Sequence, residues 1–183
     1  RTKDRINSCY DKVREILNFN DDQEIVFTSG ATESNNYILR GIIEKNLDKH
    51  FITSSIEHKS ILEVFKFYAG KGVDVTFVMP NEKGVIEATA IESEIKENTV
   101  LISVMLVNNE TGVINEIEDI AKKYNGKILI HVDAVQALGK MYIDFAAYDF
   151  ISLSAHKIYG PKGIGMAIIN KKHKPQPLLM GSS

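Results

Sequence analysis

Val100-Leu101-Ile102-Ser103-Val104-Met105-Leu106-Val107 is apolar at every position but one. The run is too short for a typical helix, and being apolar on both faces it reads as a central strand of a parallel sheet. Helical spacing is expected on either side, over 87–98 and 114–124. Working outward, strands are expected over 24–28, 51–54, 73–79, 127–132, 150–153 and 165–169. Helices are expected over 3–17, 32–46 and 58–70, the second with Thr32 as N-cap. Strands alternating with helices predict an α/β fold, a three-layer αβα arrangement around a mostly parallel, doubly wound sheet.

The 183 residues are 44% hydrophobic, enough for one domain with a sizeable core. Net charge is −2 and pI about 6.2, with Lys and Arg scattered, which argues against nucleic acid as a partner. No apolar run is long enough to span a bilayer, and no signal-peptide pattern opens the sequence. Cys9 is the single cysteine, so an internal disulfide is excluded and a reducing, cytoplasmic setting is expected. No repeat or linker divides the sequence. It starts without Met at Arg1, within an expected helix, and closes on Gly181-Ser182-Ser183 without a final element. It therefore reads as a domain-sized piece of a longer protein.

In doubly wound sheets ligands bind at the carboxyl ends of the strands, and polar residues gather at five such ends. Thr28-Ser29-Gly30-Ala31-Thr32 joins a strand to a helix N-terminus. The N–H groups of Ala31 and Thr32 and the Thr32 hydroxyl suit an anion there, or Thr32 serves only as a cap. The loop is neither a Walker A loop nor a GxGxxG dinucleotide fingerprint. Asp133 ends a buried strand. It either caps the next turn or faces a cation, because a buried carboxylate needs a partner.

His58, at a helix start, and His156 are each either structural or site residues. The single cysteine and the histidine spacing give no zinc signature. Cys9 is expected to be a small buried hydrophobe beside Val13 and Ile16. Gly160-Pro161-Lys162-Gly163 is expected to be a structural turn. Lys157 follows the strand Phe150-Ile151-Ser152-Leu153 and precedes that turn, where an enzyme using pyridoxal phosphate (PLP) would place its Schiff-base lysine.

Five ordered stretches carry a resemblance over nearly the whole sequence. They are Phe27-Thr28-Ser29-Gly30-Ala31-Thr32-Glu33-Ser34-Asn35-Asn36, Glu57-His58-Lys59-Ser60, Val107-Asn108-Asn109-Glu110-Thr111-Gly112, His131-Val132-Asp133-Ala134-Val135-Gln136, and Ser154 through Gly163. Together they resemble the class V aminotransferase superfamily of PLP enzymes, and within it the NifS/IscS-type cysteine desulfurases.

The resemblance implies a cofactor and a set of roles. Lys157 would carry PLP as a Schiff base. Asp133 would pair with the ring nitrogen and Gln136 with the ring's phenolic oxygen. His58 would stack on the ring and assist proton transfer. Ala31, Thr32, Ser154 and His156 would hold the phosphate, and Asn109 would contact the ring oxygen or the substrate carboxylate.

The implied reaction converts L-cysteine to L-alanine. Sulfur passes as an enzyme persulfide to an iron–sulfur scaffold or another sulfur-acceptor protein, and the enzyme is a homodimer. The resemblance covers the large, PLP-binding domain over 1–183. The family's N-terminal segment, its cysteine loop and its carboxylate-binding arginine have no match here, so this piece alone is expected to be inactive. A selenocysteine lyase or another member of the superfamily is the alternative enzyme reading. A non-catalytic dimerisation or binding module is the alternative of another kind.

Overall fold

The computed structural model describes residues 2–18 and 21–181, so Arg1, Phe19, Asn20, Ser182 and Ser183 lie outside the described residues. Seven strands form one sheet: β1 (Gln23–Thr28), β2 (His50–Ser54), β3 (Asp74–Val78), β4 (Thr99–Ser103), β5 (Leu129–Asp133), β6 (Phe150–Ser154) and β7 (Gly165–Asn170). Five helices accompany them: α1 (Thr2–Leu17), α2 (Ala31–Ile43), α3 (Lys59–Ala69), α4 (Ala88–Ser93) and α5 (Ile117–Tyr124). The strand order is β1-β7-β6-β5-β4-β2-β3. Only β7 runs against its neighbours, pairing antiparallel with both β1 and β6. The α/β, mostly parallel, doubly wound architecture expected above is the one observed.

Adjacent residues of the central strands face opposite layers. Phe51, Leu101, Phe150 and Ile169 pack under α2 and α3. Ile52, Ile102, Ile151 and Ile168 pack against the layer that holds α4 and α5. This two-residue alternation, apolar on both sides, is what a sheet covered on both faces requires.

Several boundaries differ from expectation, each for a local reason. β4 stops at Ser103, not Val107. Val107 instead bridges Ile114 in antiparallel fashion, and the Asn115 side chain ties Ile86 N–H to Met105 C=O. That bridge also delays α5 until Ile117. Helix α4 shrinks to six residues, and the Thr99 hydroxyl accepts from Lys96 N–H in the segment expected to be helical. Helix α2 begins at Ala31 with Gly30 at its N-cap and no side-chain cap, so Thr32 is not the cap.

Cys9 is exposed, which corrects the expectation of a buried side chain. The line of α1 that meets the sheet is Tyr10, Val13 and Leu17. Tyr10 packs its ring 4.9 Å from that of Phe27. That anchor turns Cys9 and Ile16, which is 76% exposed, toward solvent.

Candidate functional site

The carboxyl ends of β1, β2, β5 and β6, the chain beyond β4 and the start of β7 surround one cleft of about 550 Å³. Every site residue expected from the sequence lines it: Ala31 and Thr32 on the first turn of α2, His58 before α3, Asn109, Asp133, Gln136, and Ser154, His156 and Lys157 beyond β6.

One corner would suit an anion. The backbone passes from β1 through Gly30 into α2, whose first-turn N–H groups have no helical carbonyl to bond. Glu33 reaches back to accept from Ser29 N–H at 2.7 Å and Ser29 Oγ at 2.6 Å, bonds that hold its exposed carboxyl below the usual range. The loop's path is thereby fixed. Thr32 is exposed on that first turn. Gly165 lets β7 close against the loop, since a Cβ there would lie 2.4 Å from the Gly30 Cα. Ser154 Oγ and His156 Nδ1 are 2.9 Å apart at the same corner, so the hydroxyl and imidazole hold each other in place.

The floor is a carboxylate. Asp133 is 5% exposed. Its Oδ1 accepts from Val135 N–H at 3.0 Å, and its Oδ2 accepts from Asn35 Nδ2 at 3.0 Å. Both hydrogen-bond partners are neutral. Burial raises its pKa, partly offset by the Asn35 and Val135 bonds and by His58. One Asp133 oxygen therefore caps the turn while the carboxyl still meets the cleft.

His58 stands on the wall as the N-cap of α3, its Nδ1 accepting from Ser60 N–H at 3.2 Å. Gln136 Oε1 accepts from Lys140 Nζ at 2.9 Å. Lys157 closes a single 3-10 turn, Ala155–Lys157, and is exposed to the cleft. Gly160 is needed behind it, because a Cβ there would come within 2.8 Å of the Ala155 Cβ.

Four contributors were not foreseen. Lys162 lines the cleft, so the stretch expected to be only a structural turn adds a second ammonium. Asn35 and Ser60, buried on inward helix faces, connect Asp133 to the wall. Beneath them Glu57 Oε1 accepts from Ser54 Oγ at 2.5 Å and Met105 N–H at 2.9 Å, while Oε2 has no partner. Burial, with a smaller push from Asp133, raises its pKa to about 8. The inward spacing of α2, with Asn35 one helical turn before Ile38 and Leu39, was the available signal for Asn35.

A flat ligand with an anionic arm, a cationic ring edge and a carbonyl for an amine would match this donor set. The buried Asp133 with neutral partners suits the cation, the helix-start corner suits the anion, and Lys157 supplies the amine. Such a residue set could hold a phosphorylated aromatic cofactor.

The aminotransferase class-V family profile matches residues 1–183, and the chain belongs to that family. Among curated relatives, the cysteine desulfurase IscS of Vibrio vulnificus (strain YJ016) is 43% identical over 177 residues. That of Buchnera aphidicola subsp. Acyrthosiphon pisum (strain 5A) is 41% identical over 177 residues. Each alignment covers 94% of this chain and 44% of the relative.

Among solved structures, a NifS-like protein superposes with TM-score 0.88 at 40% identity, covering 96% of this chain and 50% of that one. SspA in complex with cysteine also gives TM-score 0.88, at 39% identity, covering 99% of this chain and 55% of that one. The chain thus spans about half the length of the relatives it matches.

Proposed function

We propose that this chain is the PLP-binding large domain of a cysteine desulfurase, which converts L-cysteine to L-alanine and passes sulfur on as an enzyme persulfide. The observation that carries the reading is the buried Asp133 carboxylate, whose hydrogen-bond partners are neutral, in the same cleft as Lys157. A buried carboxylate without a cation is costly, and a protonated ring nitrogen would relieve it. The names of the IscS and NifS-like relatives and the cysteine complex of SspA support the substrate class.

In this reading the phosphate rests against Ala31, Thr32, Ser154 and His156, and Gln136 faces the ring oxygen. Asn109 faces the ring oxygen or the substrate carboxylate. When bound, PLP supplies an electron sink for bonds breaking at the substrate's α and β carbons. Asp133 keeps the ring nitrogen protonated, which sustains that sink. Lys157 Nζ would hold the cofactor, and as a free amine it would carry protons at the substrate carbons. His58 covers one ring face.

No cysteine lines the cleft, and Cys9 sits on the exposed side of α1. The nucleophile that takes sulfur must therefore come from outside these 183 residues. The proposal includes a homodimer, an iron–sulfur scaffold or other sulfur-acceptor protein as partner, and a cytoplasmic location. No described helix is long and apolar enough to cross a membrane.

The test is PLP addition to wild type and Lys157→Ala, with borohydride reduction and peptide mass mapping. The expected result is a visible absorbance band in wild type only, with reduced cofactor mapped to Lys157. Attachment elsewhere, or an equal band in both proteins, would overturn the assignment.

A further inference from the structure

Four side chains, from β5, α2 and α3 with its N-cap, form one hydrogen-bonded chain from floor to wall of the cleft. Asn35 Nδ2 donates to Asp133 Oδ2 at 3.0 Å and to Ser60 Oγ at 2.9 Å. Ser60 Oγ is in turn 2.8 Å from His58 Nδ1. Asn35 and Asp133 are separated by 98 residues in sequence, so the chain spans the fold.

The direction of every hydrogen in it can be worked out. An ionised carboxylate only accepts, so Asn35 must turn its amide nitrogen toward Asp133. The same nitrogen has its second hydrogen for Ser60 Oγ. Ser60, having accepted there, has one hydrogen left to give, and its other neighbour is His58 Nδ1. A second donor reaches the same nitrogen: the backbone N–H of Ser60, at 3.2 Å, which cannot accept. Nδ1 is therefore an acceptor, and in the neutral ring the proton resides on Nε2.

We infer that Asn35 and Ser60 are positioning residues that present His58 to the cleft as the Nε2–H imidazole. In that form the ring is a hydrogen-bond donor to whatever the cleft holds, not a base, because Nε2 is occupied by a proton and Nδ1 by two donors. Its placement is also tied to the Asp133 carboxylate, so a shift of the floor is felt at the wall. The tautomer rests on hydrogen-bond geometry alone. What its Nε2–H would donate to rests on the function proposed above.

The experiment is nitrogen NMR of the full-length protein carrying ¹⁵N-labelled histidine, with the His58 signals assigned by their loss in His58→Gln. At a pH where the ring is neutral, wild type should show a protonated Nε2 and an unprotonated Nδ1. Ser60→Ala removes one donor and should raise the Nδ1–H form at least several-fold, and Ser60→Thr should restore the wild-type pattern. Asn35→Leu should loosen the preference in the same direction as Ser60→Ala.

A wild-type ring protonated at Nδ1 would overturn the inference whatever the variants do. So would a pattern that none of the substitutions moves, in proteins whose circular dichroism matches wild type. None of these readouts requires that PLP bind, so failure of the cofactor assignment and failure of the tautomer assignment remain distinguishable.

Discussion

Gly165, the first residue of β7, lies against Gly30, which opens α2, so closely that a Cβ on Gly165 would stand 2.4 Å from the Gly30 Cα and 2.5 Å from its carbonyl carbon. Gly165 also pairs in register with Thr28 of β1 and Ser154 of β6. Two strands and the anion corner therefore meet at one residue without a side chain. The obstructing atoms are backbone, so a methyl group there cannot be accommodated by a rotamer change. Gly165→Ala is expected to destabilise the fold by ~2–3 kcal/mol through overpacking and to weaken phosphate binding at the α2 N-terminus. Gly72→Ala is the control. Its φ of +92° strains any side chain, but nothing crowds it, so a loss of only ~1 kcal/mol is expected. Denaturant unfolding compares the two.

Asp133→Asn keeps the shape of the floor and removes the charge; its oxygen still accepts from Val135 N–H, and Asn35 has to turn its amide so that Oδ1 accepts from the new NH2. Loss of one partner from a buried charge pair is worth ~2–5 kcal/mol, so PLP affinity should fall by roughly 30-fold or more. Without cofactor the same substitution should be neutral or stabilising, because burial already works against the carboxylate. Cofactor titration and thermal unfolding of the cofactor-free protein read these opposite signs. A variant that binds PLP as wild type does would show that the carboxylate faces no cation.

Stability should be nearly flat between about pH 4.5 and 6.5 with respect to two buried groups, and fall on either side. Burial raises the Glu57 pKa from 4.5 to about 8, so the folded state holds a proton that the unfolded state releases. That stability is fully present below 4.5 and is lost as pH rises to about 8. Burial between Ser103 and Ser152 lowers the His131 pKa from 6.5 to about 3, so the unfolded state binds the proton first. That stability is present above 6.5 and lost as pH falls to about 3. Between 4.5 and 6.5 the two slopes oppose one another, and each limb outside amounts to a few kcal/mol, at about 1.4 kcal/mol per pH unit. Glu57→Gln should flatten the alkaline limb and extend the acid limb up to about pH 6.5, as measured by urea unfolding across the pH range.

Gln23 anchors the edge of the sheet from within. Its buried side chain donates to Phe145 C=O and Tyr148 C=O, both at 2.9 Å. Gln23→Ala leaves two carbonyls without that donor and should cost ~1–3 kcal/mol. Gln23→Glu should cost more near neutral pH, since it sets an acceptor against two acceptors. Chemical denaturation of both variants orders them, and equal stabilities would show that the two bonds contribute nothing.

The parallel sheet was readable because apolar runs report burial directly, and Phe51-Ile52 or Leu101-Ile102 supply both layers with adjacent residues. The same signal overextended β4. Val104 and Leu106 are buried in the core, and their N–H groups still bond the His131 and Asp133 carbonyls, yet they lie beyond the last regular ladder position, so apolarity recorded burial there and not the end of the strand. The residues named for the cleft were those at strand ends, where polarity interrupts a buried run. Asn35 and Ser60 escaped because a polar residue on a helix looks like a solvated face until the partner across the sheet is known. Glu57 escaped because a carboxylate beside a histidine in a loop carries no sign of the burial that neutralises it. Cys9 was assigned to the wrong side of α1 because residues 9, 13 and 16 and residues 10, 13 and 17 are both plausible stripes, and only the contact of Tyr10 with Phe27 chooses between them.

The position of β7 also sets an order of events in time. Strands β2 to β6 find partners among themselves, but among the described residues β1 pairs with β7 alone, with Gln23 opposite Asn170 and Thr28 opposite Gly165. Closing so long a loop is slow and follows the formation of more local structure. The loop from Thr28 to Thr32 is therefore expected to take its final course only after β7 has paired, which would make the corner at the α2 N-terminus the last part of the cleft to form. Ligand capture by a nascent chain would mark that moment, and until then the first strand remains an unpaired edge in need of protection.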